Sequence, residues 1–192
     1  MSALRLNIGS SARQLPGFVN LDHAKIDGAI LCDVRLGLPF ASNSVEIVVC
    51  SHVAEHFHPL TELPFVLKEI HRVLQPGGLL RVAVPDMAVL IKAYEKGTWA
   101  ELAKSQPAEF ASWPAALKFS AIAFGNNSGN PFYDGHAVLF DRELLEWTLN
   151  NAGLVDVCRV ERGESRHPDL MKTYRDVGAA EEIIVEAVKP CQ

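Results

Sequence analysis

The sequence predicts an α/β doubly wound fold: a mostly parallel seven-stranded sheet with an antiparallel last strand and a helical insertion after the fifth strand. Three observations predict it. Short apolar runs alternate with turn or helix signals through the first half of the chain, the pattern of βαβ units and a parallel sheet. One of these runs, Val45-Glu46-Ile47-Val48-Val49-Cys50, is almost wholly apolar, as a central strand covered on both faces should be. A glycine or an aspartate stands directly after each of the first three runs, at Gly9, Asp22 and Asp33, and ligands of open α/β sheets bind at such strand ends.

Leu4-Arg5-Leu6-Asn7-Ile8 reads as the first strand and gives way to Gly9-Ser10-Ser11. Phe18-Val19-Asn20-Leu21 is the second, ending at Asp22, and Ala29-Ile30-Leu31-Cys32 is the third, ending at Asp33. Only about a dozen residues separate Gly9 from Asp22, and a full crossover needs a dozen or more, so the first crossover helix must be very short. After the fourth strand, Leu63, Val66, Leu67, Ile70, Val73 and Leu74 recur on one helical face. Thr61 is placed to cap that helix, and Pro64 falls within its first turn, where a missing N–H is harmless. Pro76-Gly77-Gly78 is expected to stop it, and Leu79 to Val84 forms the fifth strand, closed by Pro85-Asp86.

Residues 87–140 depart from this rhythm. A helical stretch from Met87 to Lys96 gives way to a polar loop, Gly125-Asn126-Asn127-Ser128-Gly129-Asn130-Pro131. The insertion is longer than a connector needs and is expected to cover a binding site. Asp141 then caps a helix with Leu144, Leu145, Thr148 and Leu149 inward and Gly153 as its stop. Leu154 to Val160 and Glu182 to Val188 are the two final strands. With no internal repeat and no low-complexity segment, residues 1–192 read as a single domain.

Composition narrows the function classes. The chain is 48% apolar and 21% charged, ordinary for a globular domain. Its net charge of −5 and the lack of any Lys/Arg cluster argue against a nucleic-acid partner. No segment approaches the ~18–20 consecutive apolar residues of a membrane span. The N-terminus lacks the apolar stretch of a signal peptide, so a cytoplasmic location is the expectation. Cys32, Cys50, Cys158 and Cys191 form no C-x-x-C pair, and the first three are read as small core hydrophobes.

The strand-end residues have chemistry available to them. Gly9 lacks a Cβ, so the backbone can turn sharply there and a ligand can approach closely. Asp22 can accept two hydrogen bonds from a ribose diol, and Asp33 can reach the exocyclic amine of an adenine. Leu6-Asn7-Ile8-Gly9-Ser10 and Pro16-Gly17-Phe18-Val19-Asn20-Leu21-Asp22 together resemble the opening of small class I methyltransferases of the methyltransferase type 11 group. Asp33, Leu38-Pro39-Phe40 and Ser44-Val45-Glu46 are similar to that group's third and fourth strand signature. Ser51-His52-Val53-Ala54-Glu55-His56-Phe57 resembles its segment after the fourth strand. Glu69-Ile70-His71-Arg72-Val73-Leu74-Gln75-Pro76-Gly77-Gly78 resembles its helix ending in RVLxPGG. Tyr133-Asp134-Gly135-His136 and Phe140-Asp141 resemble a later segment of the subgroup.

The resemblance implies an S-adenosylmethionine (AdoMet) cofactor and methyl transfer to a small-molecule or glycan-type acceptor. It implies that Asn7, Gly9 and Ser10 line the methionine part. Asp22, with His23 beside it, would hold the ribose, Asp33 and Val34 the adenine, and Ser51 and His52 would lie beneath the sulfonium. His136 is the candidate general base, with Tyr133 and Asp134 as orienting partners. Two departures stand out: the glycine-rich loop is reduced to Gly9-Ser10-Ser11, and no helix precedes the first strand. A non-catalytic methyltransferase-like partner module is therefore the principal alternative. A second copy of the chain is a candidate to close the open-topped site.

Two other enzyme readings compete. His52-Val53-Ala54-Glu55-His56 matches the H-x-x-E-H pattern of zinc peptidases. That pattern needs a helix holding both histidines, yet here it follows a strand directly and meets Pro59, and no third ligand announces itself downstream. His52 and His56 are accordingly read as pocket-rim residues, and no metal ligand is assigned. A nicotinamide dehydrogenase would want G-x-G-x-x-G after the first strand, and the later glycines are absent.

Overall fold

A computed structural model describes residues 3–100, 102–125, 135–168, 170 and 182–191. Its strands are β1 (Leu4–Ile8), β2 (Val19–Asp22), β3 (Ile30–Leu31), β4 (Val45–Ser51), β5 (Leu74–Pro85), β6 (Val155–Arg159) and β7 (Glu182–Val188). They form one sheet in the order β3-β2-β1-β4-β5-β7-β6. The first five pair in parallel, and β7 runs antiparallel to both β5 and β6. The doubly wound sheet with an antiparallel last strand is thus present. The order turns outward in both directions from β1 and β4, which makes the gap between their carboxyl ends the switch point.

Side-chain alternation along the strands splits the core into two faces. On β4, Val48 and Cys50 join Leu6, Ile8, Leu80 and Val82 beneath α1 (Glu62–Val73) and α4 (Arg142–Asn151). Ile47 and Val49 point the other way and pack with Leu15, Phe18 and Leu170. That second face also buries a cross-strand ion pair. Arg81 on β5 lies opposite Glu186 on β7, 1% and 0% exposed, with Nη1 and Oε1 2.7 Å apart. Ser165 Oγ and the Arg166 N–H donate to the same carboxylate at 2.6 and 2.8 Å, so its charge is fully partnered.

Several sequence expectations need correction. No helix links β1 to β2; residues 10–18 form turns only. The third strand shrinks to two exposed residues at the sheet edge. Pro76-Gly77-Gly78 does not separate α1 from β5 but lies inside the strand. Leu74 already pairs with Val45, and the register jumps before Ile47 meets Leu79, so the three residues form a bulge. Gly78 is obligatory there, because a Cβ would stand 2.8 Å from the Gln75 carbonyl. Thr61 occupies the N-cap of α1 without a capping hydrogen bond. Its hydroxyl instead lies 3.0 Å from His58 Nδ1, while Glu62 Oε2 accepts the His58 N–H at 2.8 Å.

The insertion after β5 contains α2 (Met87–Lys96), two short 3-10 turns and α3 (Ala115–Ala123). Asp86 caps α2, accepting from Ala88 N at 2.8 Å. Leu90, Ala93, Trp99, Phe110 and Ala123 give this region a small core of its own. The polar loop read at 125–131 falls, after Gly125, outside the described residues, as do Tyr133 and Asp134. Asp141 caps α4 as expected, accepting from Leu144 N at 2.8 Å. Among the described residues no helix is long and apolar enough to cross a membrane.

Candidate functional site

A cleft of about 330 Å³ opens at the carboxyl ends of β1, β2, β3 and β4. Gly9 follows β1, Asp22 closes β2, Cys32 and Asp33 follow β3, and His52 and Val53 follow β4; all six line it. The volume lies at the lower end of the range typical of small-molecule sites, ~300–1,000 Å³.

The loop after β1 keeps a glycine-like path with a single glycine. Gly9 has φ +65 and Ser11 has φ +47. Ser11 therefore takes the left-handed conformation at the position where the second glycine of G-x-G would stand. Its N–H is held by Asp22 Oδ2 at 2.8 Å, which stabilises that unfavourable backbone. Above Gly9 there is no spare room, since a Cβ there would lie 2.2 Å from Val53 Cγ2.

Asp22 is buried and serves two loops. Oδ2 takes the Ser11 N–H, and Oδ1 takes the Ala24 N–H at 2.9 Å. A carboxylate offers about four lone-pair sites, so one on each oxygen remains for a ligand. His23 lies beside it, with Nδ1 3.5 Å from Oδ1 and its ring largely in solvent. Asp33 is differently placed. Arg35 donates to it through its backbone N–H at 3.0 Å and through Nε and Nη2 at 2.9 Å each. These contacts hold the Asp33 carboxyl below its ordinary range, the side-chain hydrogen bond to Arg35 dominating.

His52 closes the floor after β4 in a strained conformation, φ +55. Its Nε2 lies 2.9 Å from Glu182 Oε1 and its Nδ1 3.3 Å from Glu55 Oε1. Burial alone would depress the imidazole, but the two carboxylates outweigh it and push its pKa up to about 9. His52 is thus a protonated counter-charge to two nearly buried acids. The 3-10 turn Ala54–His56 follows, and the helix needed to present both histidines of an H-x-x-E-H peptidase motif is not formed.

His136 arrives from the far end of the insertion. Its N–H bonds to the Phe124 carbonyl at 2.9 Å, and the next two N–H groups bond to the Glu55 carbonyl at 2.8 and 3.2 Å. Its ring stands edge-on to His56 with centroids 5.0 Å apart. Burial lowers its pKa, with smaller opposing effects from Glu55 and the Ala123 carbonyl.

The structure therefore gathers Gly9, Asp22, His23, Asp33, Val34 and His52 around one cleft. Asn7 and Ser10 are not among the lining residues and are bonded within the scaffold. Asn7 donates to the Arg13 carbonyl and to Asn20 at 3.1 and 2.8 Å, and Ser10 is buried with its N–H on the Leu21 carbonyl. Ser51 and His136 are not among the lining residues. Sequence reasoning missed Ile8, Ser11, Ala24, Ile26, Arg35, Val53 and Phe57 in the lining, and read Cys32, which also lines it, as a core residue. Ser11 alone carried a legible signal, its place in the shortened glycine loop.

Residues 16–82 match the family model described as a methyltransferase domain. The chain is 30% identical over 142 residues to malonyl-[acyl-carrier protein] O-methyltransferase 1 of Coxiella burnetii (strain RSA 493 / Nine Mile phase I), an alignment covering 74% of this chain and 39% of that protein. A second curated relative, the uncharacterised protein YafE of Escherichia coli (strain K12), is 28% identical over 42% of this chain. The chain spans 39% and 52% of the lengths of these two curated relatives. Among solved structures, a SAM-dependent methyltransferase from Archaeoglobus fulgidus superposes with a TM-score of 0.56 at 14% identity, covering 98% of this chain and 87% of that one. The 1,6-didemethyltoxoflavin-N1-methyltransferase of Burkholderia thailandensis, solved with S-adenosylhomocysteine, gives 0.54 at 13% identity, covering 98% and 71%. At such identities the likeness is one of fold.

Proposed function

We propose that this chain, a class I S-adenosylmethionine-dependent methyltransferase by family, binds AdoMet in the cleft between β1 and β4 and methylates a small-molecule or glycan-type acceptor. The observation that carries the reading is the pairing of Ser11 and Asp22. A serine holds the glycine-like turn after β1, and the carboxylate that fixes it keeps lone pairs free toward the cleft. That is the acceptor arrangement a ribose diol requires, at the switch point where this fold binds nucleotides.

AdoMet would supply the reactive group, a methyl carried on a positively charged sulfur. The chain's own residues have to bind and align it. Asp22 accepts the two ribose hydroxyls. Asp33 accepts the adenine amine once the half-exposed Arg35 side chain turns outward. Gly9 and Val53 limit how deeply the methionine part can sit. At the acceptor end, His136 keeps a proton on Nδ1, because a carbonyl oxygen can only accept, and Nε2 retains a lone pair. The net charge of −5 supports an acceptor other than nucleic acid.

Incubation with methyl-labelled AdoMet and separated extract fractions tests the acceptor class. Label entering the metabolite or glycan fraction is expected, and label entering protein or nucleic acid instead would contradict it. The second reading, a non-catalytic partner module, draws on Asp33 being already neutralised by Arg35. It is excluded by any catalytic turnover of AdoMet.

A further inference from the structure

Beside the cleft lies a group of side chains that cofactor binding does not use. Glu55, His56 and His136 each bring one metal-ligand type of atom to within 4.8 Å of the other two. Glu55 and His56 stand on the 3-10 turn after β4. His136 comes from beyond α3, and the segment that delivers it is tied to the Glu55 carbonyl through Ala137 and Val138. The meeting of these residues is therefore built into the backbone hydrogen bonding.

Glu55 is the residue that asks for a ligand. It is 1% exposed, yet neither carboxylate oxygen accepts a hydrogen bond among the described residues. Among the described residues its one ion-pair contact is His52 Nδ1, at 3.3 Å from Oε1, and that histidine is shared with Glu182. Buried carboxylates are ordinarily hydrogen-bonded, paired closely or coordinated to metal. His136 shows the complementary feature. Donation of its Nδ1 proton to the Ala123 carbonyl, at 3.0 Å, fixes the tautomer and leaves Nε2 as an electron-pair donor. Ligating histidines are commonly oriented by a backbone carbonyl in this way.

We propose that Glu55, His56 and His136 form a binding site for a first-row divalent cation of the zinc type. Two imidazoles and one carboxylate are borderline donors, which suit Zn²⁺, Co²⁺ or Mn²⁺ better than Mg²⁺ or Ca²⁺, whose shells are built of oxygen. Ligand atoms about 2.1 Å from a tetrahedral ion lie about 3.4 Å apart, so modest side-chain torsions close the present spacing. His52 is not a ligand, since Glu182 and Glu55 occupy its two nitrogens. The H-x-x-E-H string is thus divided: its first histidine is a counter-charge, and its last two members bind metal together with a residue far along the chain. Three protein ligands leave a coordination position open. His56 also lines the cleft, so the cation adjoins the place where methyl transfer would occur. Polarisation of an acceptor oxygen at that position, in place of proton removal by His136 Nε2, is the use this suggests. That use rests on the methyl-transfer reading, whereas binding of the cation does not.

The test uses the whole chain without an affinity tag, stripped by a chelator and titrated with Co²⁺ alone. One equivalent is expected to bind, with d–d absorption of a four- or five-coordinate nitrogen and oxygen site, no thiolate charge-transfer band, and displacement by Zn²⁺. His136→Ala should weaken Zn²⁺ binding by at least about a hundredfold while keeping the thermal shift given by AdoMet, which shows that it is folded. Glu55→Gln, which preserves shape, should weaken it similarly. Asp22→Ala should lose about half or more of the AdoMet shift and retain the Co²⁺ spectrum. Sub-stoichiometric binding, a thiolate band, or undiminished affinity in His136→Ala would overturn the proposal. Full Co²⁺ binding by a chain that ignores AdoMet would support the cation site and count against the cofactor reading.

Discussion

Replacing Gly9 with alanine would test how the loop after β1 is constructed. Gly9 has φ +65, and an L-residue held there costs roughly 1–2 kcal/mol. The added Cβ would also meet Val53 Cγ2 at 2.2 Å, so Val53 must be displaced. Forcing an extra methyl into a packed site costs about 1–3 kcal/mol more. The variant should therefore lose about 2–5 kcal/mol, a large share of the ~5–15 kcal/mol that holds a domain folded. Urea denaturation of the wild type, Gly9→Ala, Val53→Ala and the double variant separates the two parts. Truncating Val53 removes the obstructing methyls and leaves its Cβ at 3.4 Å, an ordinary contact. The cycle should then show a favourable coupling of about 1–3 kcal/mol, with the backbone part remaining. Additivity within about 0.5 kcal/mol would refute the placement of Val53 over Gly9.

Glu186→Gln should destabilise the fold by about 3–5 kcal/mol, because it removes the carboxylate charge set against the buried Arg81 guanidinium; a loss below about 1 kcal/mol in chemical denaturation would show that the pair is hydrated. Glu69 gives a pH signature. Hydrogen bonds from Arg72 and from the Leu38 N–H bring its pKa down to about 2 from an ordinary 4.5. Its contribution is complete above the unfolded value and disappears as pH falls from about 4.5 toward 2. Melting temperatures of wild type and Glu69→Gln should thus differ at pH 7 and converge near pH 2, and a gap that stays constant with pH would contradict the assignment. Asp22→Ala should weaken AdoMet binding at least tenfold, about 1.4 kcal/mol, and calorimetry showing equal affinity would place the ribose elsewhere.

The sheet was legible because its strands are short apolar runs closed by polar or glycine residues, and β1, β4 and β7 follow those runs closely. The start of β5 was not. Pro76-Gly77-Gly78 carries the local signature of a helix stop, and only the pairing of Leu74 with Val45 turns it into a bulge. In the cleft, Gly9, Asp22 and Asp33 could be read from their strand ends, since position after a strand is a local property. Asn7 could not be distinguished from them, because its role as a brace depends on Asn20 in the neighbouring strand. The meeting of Glu55 with His136 was invisible for the same reason. Nothing near either residue announces the other, and hydrogen bonds from Ala137 and Val138 are what bring them together.

Thermal unfolding with AdoMet and with S-adenosylhomocysteine reports on whether the cleft between β1 and β4 binds AdoMet. A ligand present at a hundred times its dissociation constant stabilises the fold by about 2.7 kcal/mol. For a chain of 192 residues that is a rise of roughly 5–10 °C. Both ligands should produce such a rise in the wild type, and the rise should fall to about half or less in Asp22→Ala at the same concentration. An unchanged melting temperature of the wild type at millimolar ligand would rule out AdoMet binding in this cleft.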